Sequence, residues 1–127
     1  MFVTSKDEIY QDGQIIFAEG SYSESVYAVK SGAVELSKTV DGKKVVIEIL
    51  EAGYVFGELG FLAKVQRTAT AMAVGETVIG HLDHETLDED FNNLSLNFQA
   101  MLRSLALRLE KTTQLACGAA STLQVPR

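Results

Sequence analysis

The sequence predicts a mainly β protein with antiparallel strands and C-terminal helices. Between residues 14 and 82, short segments rich in Val, Ile, Tyr and Phe alternate with glycines, a pattern typical of strands joined by turns. An Asp-Gly pair lies between two of these segments and marks a hairpin. After residue 83 the apolar residues recur at steps of three and four, which predicts helices.

Short strands at nearly even spacing make up the predicted β region. Asp41 and Gly42 predict a two-residue hairpin turn because both residues tolerate positive φ. Further turns are predicted at Gly32 and Gly75. The spacing indicates a sandwich or a roll closed on itself. The predicted strands cover residues 15–17, 26–29, 34–37, 43–50, 68–74 and 77–82.

A short helix and a long helix are predicted after the strands. Asp83 is a candidate N-cap for the short helix, which contains Leu87 and Phe91. The long helix is predicted from residue 94 to about residue 117, where Gly118 stops it, and residues 118–127 are expected to form a flexible tail. Its apolar seam could pair two helices as a dimer or pack on the protein's own barrel. The seam comprises Phe98, Leu102, Leu105, Leu109, Thr112 and Ala116.

Composition and charge exclude several classes of protein. The 127 residues are the usual size of one domain. A formal net charge of −6, without a dense Lys/Arg cluster, argues against direct nucleic-acid binding. Cys117 is the one cysteine, so it cannot form an internal disulfide. The sequence shows neither a signal peptide nor an apolar stretch of about 20 residues, so a cytoplasmic protein without a membrane segment is expected.

The segment from Phe56 to Gly60, followed by Arg67, carries the candidate chemistry. A glycine at a strand end lets backbone N–H groups approach a ligand, and a short helical turn starting there would point its positive end at an anion. Arg67 follows Gly57 by ten residues, and a guanidinium binds two phosphate oxygens at once. Glu58 can accept hydrogen bonds from hydroxyl groups such as those of a ribose. Together they indicate a sugar-phosphate site, although such residues also often solvate a β surface.

These residues resemble the phosphate-binding cassette of the cyclic-nucleotide-binding domains of catabolite-activator-type regulators, kinase regulatory subunits and cyclic-nucleotide-gated channels. That cassette reads Phe-Gly-Glu-Leu-Ala/Gly, a variable loop, then Arg, a small or hydroxyl residue and Ala. Residues 56–60 and 67–69 match it, whereas Gln66 stands where many members carry proline. The resemblance implies one domain over residues 1–117. Its fold would be an antiparallel double-stranded β-helix, a jelly-roll-like β-roll at about 13–82, followed by the two helices at about 84–117.

The resemblance also implies a role for each site residue. Arg67 would bind the cyclic phosphate, Glu58 the ribose 2′-hydroxyl, and backbone N–H groups of residues 57–60, 68 and 69 would complete the cradle. On the long helix, Thr112 and Thr113 would contact the base, the second from the other subunit, and Arg108 would contact Glu58 or the phosphate region. Both threonines could instead lie on a solvated helix turn. The expected ligand-binding residues are Phe56, Gly57, Glu58, Leu59, Gly60, Arg67, Thr68, Ala69, Arg108, Thr112 and Thr113.

A regulatory sensor is therefore the expected function, with cAMP as the first ligand and cGMP as the other candidate. The threonine pair on the helix favours cAMP, whereas Thr68 is compatible with cGMP. We expect no enzyme activity, no catalytic residue, no cofactor and no metal, because the sequence shows no Ser/His/Asp arrangement, no cysteine nucleophile, no P-loop and no cluster of histidines. Ligand occupancy would pass to the long helix, through which a homodimer is expected, or to another partner.

Two alternatives remain open. A cupin-like metal-dependent enzyme has a similar strand and glycine pattern, but it needs clustered histidines, and the sequence contains only His81 and His84. The other alternative is a domain that kept the fold, lost its ligand and serves only in dimerisation. The presence of both Glu58 and Arg67 argues against that alternative.

Overall fold

Six strands and three helices are found in residues 4–123, the part of the chain that the computed structural model describes, with side chains to residue 119. The predicted class, mainly β with C-terminal helices, is confirmed. In chain order the elements are β1 (Thr4–Tyr10), β2 (Ile15–Phe17), β3 (Tyr27–Val40), β4 (Lys43–Glu51), β5 (Val55–Phe56), α1 (Glu58–Ala63), β6 (Thr70–Leu82), α2 (His84–Asn92) and α3 (Leu96–Leu123).

All strands belong to one antiparallel sheet whose main path runs β1–β6–β3–β4. The short strands β2 and β5 pair with β6 and β3, respectively. The predicted β-roll is confirmed, but its predicted closure is wrong for the described strands, because this path ends at β1 on one side and β4 on the other. The strand region also starts earlier than predicted, since β1 pairs with β6 from Thr4 opposite Leu82 to Tyr10 opposite Thr77. The charged sequence of β1 lacks the apolar alternation that identifies a strand.

The hairpin prediction is confirmed, whereas the turns predicted at Gly32 and Gly75 are wrong. Asp41 and Gly42 have φ values of 53° and 77° and connect β3 to β4. Gly32 and Gly75 instead lie inside the long strands β3 and β6. At Gly32 a Cβ atom would lie 2.5 Å from the Glu76 carbonyl oxygen, so this glycine permits a close approach of two strands and does not reverse the chain.

The core joins β5, which leads into α1, to β2 and β3. The rings of Phe17, Tyr27 and Phe56 pack together with centroids 5.3 to 5.9 Å apart, which joins β2, β3 and β5. Truncating Phe56 to alanine would cost about 3–5 kcal/mol, the usual range for a buried phenylalanine. The buried cluster comprises Tyr27, Val29, Val34, Leu50, Phe56, Ala71 and Ile79.

The helices follow β6 directly. The predicted N-cap of α2 is confirmed, because the Asp83 carboxylate accepts a hydrogen bond from the Thr86 N–H at 3.1 Å. The predicted helix end at Gly118 is wrong, because α3 continues to Leu123. The nearby Ala116 and Ala119 have the highest helix propensity, so the helix tolerates the cost of about 1 kcal/mol that Gly118 brings. Of the predicted tail, residues 118–123 are helical and residues 124–127 lie outside the described residues.

The face of α3 that contacts the roll is not the predicted apolar seam. Phe98, Leu105 and Leu109 of the seam are 56%, 55% and 66% exposed, so the seam does not pack on its own barrel. These leucines do not make α3 a membrane segment, since no helix within residues 4–123 is long and apolar enough to cross a bilayer. The inward face is displaced by one position and comprises Gln99, Arg103, Ala106, Glu110, Thr113 and Cys117.

Candidate functional site

A concave pocket lies between β3, β4 and the segment that contains β5 and α1. Its volume of about 280 Å³ is close to the lower end of the usual range for small-molecule sites, roughly 300–1,000 Å³. Residues 56–60 and 67–69, all of the predicted cassette, line this pocket together. The structure adds Phe17, Leu36, Glu48, Leu50, Tyr54 and Val55 to the lining.

Arg67 lies between α1 and β6 and is only 4% exposed. Its guanidinium donates from Nη1 to the Gly57 carbonyl at 2.9 Å and from Nη2 to the Ser25 carbonyl at 2.8 Å. The same group stacks on Phe17, with Cζ 4.2 Å from the ring centroid. Burial lowers the pKa of Arg67, but an arginine stays charged at any physiological pH. Its Nε atom is buried without a hydrogen-bond partner among the described residues.

Two glycines allow the backbone to close around this arginine. Gly57 is the N-cap of α1 and has φ 86°, a conformation that residues with a Cβ rarely adopt. A Cβ atom at Gly57 would lie 3.0 Å from Nη1 of Arg67, and one at Gly60 would lie 2.6 Å from the Ser23 carbonyl oxygen. The first turn of α1 therefore begins directly beside the guanidinium.

Glu58, the first residue of α1, lines the same pocket. The side chain lines the pocket and is exposed to solvent. Partial loss of its hydration raises the pKa of Glu58, and repulsion from Glu48 adds to the increase, whereas a backbone N–H and Arg67 oppose it. An ionised carboxylate only accepts hydrogen bonds. The pocket thus combines one cation with two acceptor groups.

Glu48 is the charged residue among the six lining residues that sequence reasoning missed. It lies in β4 opposite Leu36 of β3. In the sequence it occupies one alternating position of a strand, where a glutamate normally indicates only a solvated face. No spacing signal distinguishes it from its neighbours, because the pocket forms only when α1 folds over this part of the sheet.

The three predicted residues of the long helix do not line the pocket. Arg108 and Thr112 are exposed, and the Thr113 hydroxyl donates to the Leu109 carbonyl at 2.9 Å. The physical reason is the rotation of α3, which turns Thr113 towards the roll but leaves Arg108 and Thr112 on its outer side. Their contact with a nucleotide base or with Glu58 stays a prediction.

Other residues connect α3 to the pocket. Arg103 Nε donates to the Leu62 carbonyl near the end of α1 at 3.0 Å. Glu110 forms an ion pair with Lys38 of β3 at 2.7 Å, and Lys38 also donates to the carbonyl of the pocket residue Thr68. These contacts join residues far apart in the sequence, so no local pattern predicts them.

Neither histidine belongs to a cluster of metal ligands. His81 Nε2 pairs with Glu8, and its ring packs edge-on against Tyr27 at 4.9 Å. His84 begins α2 and contacts Phe61. In the part of the chain with described side chains, no three His, Cys, Asp or Glu residues are grouped so that they could hold a metal ion. The cupin-like alternative gains no support from these residues.

The family of this chain follows from fold and sequence together. The model of the cyclic nucleotide-binding domain family matches residues 7–93, which include the whole cassette. The chain therefore belongs to the cyclic nucleotide-binding domain family, and the predicted resemblance is confirmed. Members of this family are regulatory domains that sense cyclic nucleotides.

The similar proteins are longer than this chain and match it over part of their length. The chain is 32% identical over 104 residues to the cyclic AMP receptor protein of Thermus thermophilus, covering 81% of this chain and 48% of that protein. It is 32% identical over 115 residues to the cyclic nucleotide-gated channel beta-3 of Mus musculus, covering 86% of this chain and 16% of the channel. The cAMP-bound form of an EAL enzyme shares the fold, with a TM-score of 0.81, 23% identity, and coverage of 93% and 32%. The chain spans less than half the length of each.

Proposed function

We propose that this domain binds a cyclic nucleotide, cAMP in the first place, in the pocket around Arg67 and Glu58 and acts as a cytoplasmic regulatory sensor without a cofactor. The observation that carries the proposal is the pocket itself, where the buried Arg67 guanidinium meets two carboxylates and the first turn of α1. A cyclic nucleotide has one anionic phosphate together with hydroxyl and amine donors. Its phosphate therefore complements the Arg67 guanidinium, and its neutral hydroxyl and amine groups can donate to the carboxylates.

Each cassette residue takes a distinct part in this proposal. Arg67 binds the cyclic phosphate, and Glu58 accepts a hydrogen bond from the ribose 2′-hydroxyl. Backbone N–H groups of residues 57–60, Thr68 and Ala69 complete the cradle, while Phe56 and Leu59 frame it with apolar surface. Arg67 has to overcome the repulsion between the phosphate and the two carboxylates, Glu48 and Glu58. We therefore expect Arg67 to be the residue on which affinity depends most.

The base is read by residues other than Arg67 and Glu58. Thr112 and Thr113 favour adenine by their resemblance to the helix residues of catabolite-activator-type regulators, and the name of the Thermus relative supports cAMP. Thr68 is compatible with cGMP. Changing Thr112 and Thr113 together to valine tests the helix contact, because a loss of cAMP affinity is expected. Unchanged affinity would remove the helix from base recognition.

The exposed seam of α3 supports a homodimer. Phe98, Leu105 and Leu109 repeat at the spacing of a two-helix interface and leave apolar surface in water that a second α3 would cover. Ligand occupancy then passes through α3 to the other subunit, or to a partner, when the ligand favours one arrangement of the helix. The seam is free to contact a second subunit because it is not used in the packing of α3 on the roll.

A calorimetric titration tests the proposed ligand. The wild-type chain is titrated with cAMP and with cGMP, and 5′-AMP serves as the control that lacks the cyclic phosphate. We expect saturable binding of one cyclic nucleotide per chain and much weaker binding of 5′-AMP. Absence of binding of both cyclic nucleotides at millimolar concentration would contradict the proposal and favour a domain that only dimerises.

A further inference from the structure

Lys38 is a buried lysine next to the ligand pocket. Its side chain is 6% exposed, and that of its ion-pair partner Glu110 is 14% exposed. In the other four lysine ion pairs of the described residues, the lysine side chain is between 40% and 64% exposed. Lysines are almost never buried to this extent unless they are paired. Lys38 therefore differs from the surface lysines of this protein.

The second partner of Lys38 belongs to the cradle. Its Nζ atom donates to the carbonyl of Thr68, and both Thr68 and Ala69 line the pocket. In a trans peptide, the carbonyl of Thr68 and the N–H of Ala69 lie in one plane and point in opposite directions. A bond that fixes this carbonyl thus also fixes the direction of the Ala69 N–H, which then points away from Lys38.

A buried ion pair is by itself weak evidence of a role in stability. A buried ion pair often contributes no more to folding than a well-packed apolar pair of the same size, because both charges lose their hydration. Glu110 lies on α3, whereas Lys38 lies on β3, so the pair connects the long helix to the roll at the Thr68 carbonyl. The position of the pair, rather than its strength, suggests its role.

We propose that Lys38 is a positioning residue of the ligand site, which holds the peptide between Thr68 and Ala69 in its cradle orientation, and that Glu110 holds Lys38 from α3. This inference rests on the proposed function. A ligand that uses the Ala69 N–H stabilises the same peptide orientation as the ion pair does. Ligand binding and docking of α3 at Glu110 therefore favour each other, with equal coupling in both directions.

Three variants and a matched control test this proposal by calorimetry with cAMP. Lys38→Met keeps the apolar stem and removes the donor, and Glu110→Gln keeps an acceptor and removes the charge. The third variant combines both changes. Lys30→Met is the control because Lys30 lies on the same strand and forms an exposed ion pair with Asp7 of β1. Thermal unfolding checks that every variant is folded. If Lys38→Met does not fold, the affinity of Glu110→Gln is used as the test instead.

The proposal predicts a graded loss of affinity. We expect Lys38→Met to weaken cAMP binding by about tenfold, which is typical for the loss of a hydrogen bond to a charged group. Glu110→Gln should weaken binding less, and the double variant should bind no more weakly than Lys38→Met, because Glu110 acts through Lys38. Lys30→Met should stay within about twofold of wild type. An effect below twofold for Lys38→Met, or simple addition of the two losses, would overturn the proposal.

Hydrogen exchange provides a readout that a purely structural role would not change. In the wild-type chain, cAMP should slow exchange in α1, at the start of β6 and in α3 around Glu110. In Lys38→Met at saturating cAMP, the protection of α1 and β6 should remain, whereas the added protection of α3 should be lost. Full protection of α3 in this variant would overturn the coupling. Failure of the wild-type chain to bind cAMP is a different result, which contradicts the proposed function itself.

Discussion

The cradle and the long helix of this domain differ in which side chains the chain itself covers. In the cradle, Arg67 is buried, stacked and hydrogen-bonded within its own chain. On α3, the polar residues Arg103 and Glu110 face the roll, while Leu105 and Leu109 face solvent. A helix that only packs on its own domain places its residues the other way round. The difference is that Arg67 is covered by its own chain, whereas the apolar face of α3 is left exposed, and the proposed dimer would cover that face.

The largest effect is expected when the cradle loses its cation. Arg67→Ala should reduce cAMP affinity by about 100-fold or more, because the phosphate then faces two carboxylates without a counter-charge. Arg67→Lys keeps the charge but lacks the planar fork that binds two oxygens, so an intermediate loss is expected. Calorimetry measures both values. A loss smaller than tenfold for Arg67→Ala would show that the phosphate binds elsewhere.

The other side of the comparison is the outer face of α3. Changing Leu105 and Leu109 together to glutamate should convert a dimer into a monomer, since four carboxylates would meet at the interface. Light scattering after size-exclusion chromatography measures the mass. Gln114→Glu is the control, because it adds charge at an exposed position of the same helix outside the seam. A double variant that stays dimeric, or a wild-type chain that is monomeric, would contradict a dimer through this seam.

Glu58→Gln should affect ligand binding and stability in opposite directions. Because the pKa of Glu58 is raised in the folded protein, its stabilising contribution is complete below the unfolded-state pKa and is lost as pH rises through the folded-state value. At neutral pH the variant should therefore unfold at a slightly higher temperature without ligand. It should bind cAMP about tenfold more weakly, since the amide is a poorer acceptor for the ribose hydroxyl. A stable variant with wild-type affinity would remove Glu58 from the site.

The smallest effect is expected for Glu48→Gln. Repulsion from Glu48 raises the pKa of Glu58, so removing this charge should lower it. Binding of cAMP weakens when acid protonates Glu58, and in the variant this weakening should begin at lower pH. Titrations of cAMP affinity between pH 4 and 7 compare the two midpoints. A midpoint that does not move would show that the two carboxylates do not interact in the pocket.

Local sequence was enough to predict most of the cradle. Gly57, Glu58 and Arg67 lie within eleven positions. Their order, with the residues beside them, was enough to predict the family and the lining of the pocket. The hairpin at Asp41 and the N-cap at Asp83 are also local, because their conformations depend on the residues beside them. The conformations of these residues are fixed by their neighbours along the chain, so the sequence was enough to predict them.

The features that the sequence did not reveal depend on distant residues. The sequence around Gly32 predicts a turn, and only the close approach of Glu76 on the neighbouring strand explains the glycine. The ion pair between Lys38 and Glu110 joins residues 72 positions apart. The face that α3 turns inwards differs by a single position from the apolar seam, and only packing against the roll decides between them. Helical periodicity identifies α3 as a helix but does not show which side of it meets the domain.

The structure of the chain with cAMP bound tests the central claim most directly. We predict that a phosphate oxygen lies within hydrogen-bond distance of the Arg67 guanidinium and that the ribose 2′-hydroxyl donates to Glu58. A nucleotide bound with its phosphate away from Arg67, or bound outside the pocket between β4 and α1, would contradict the claim.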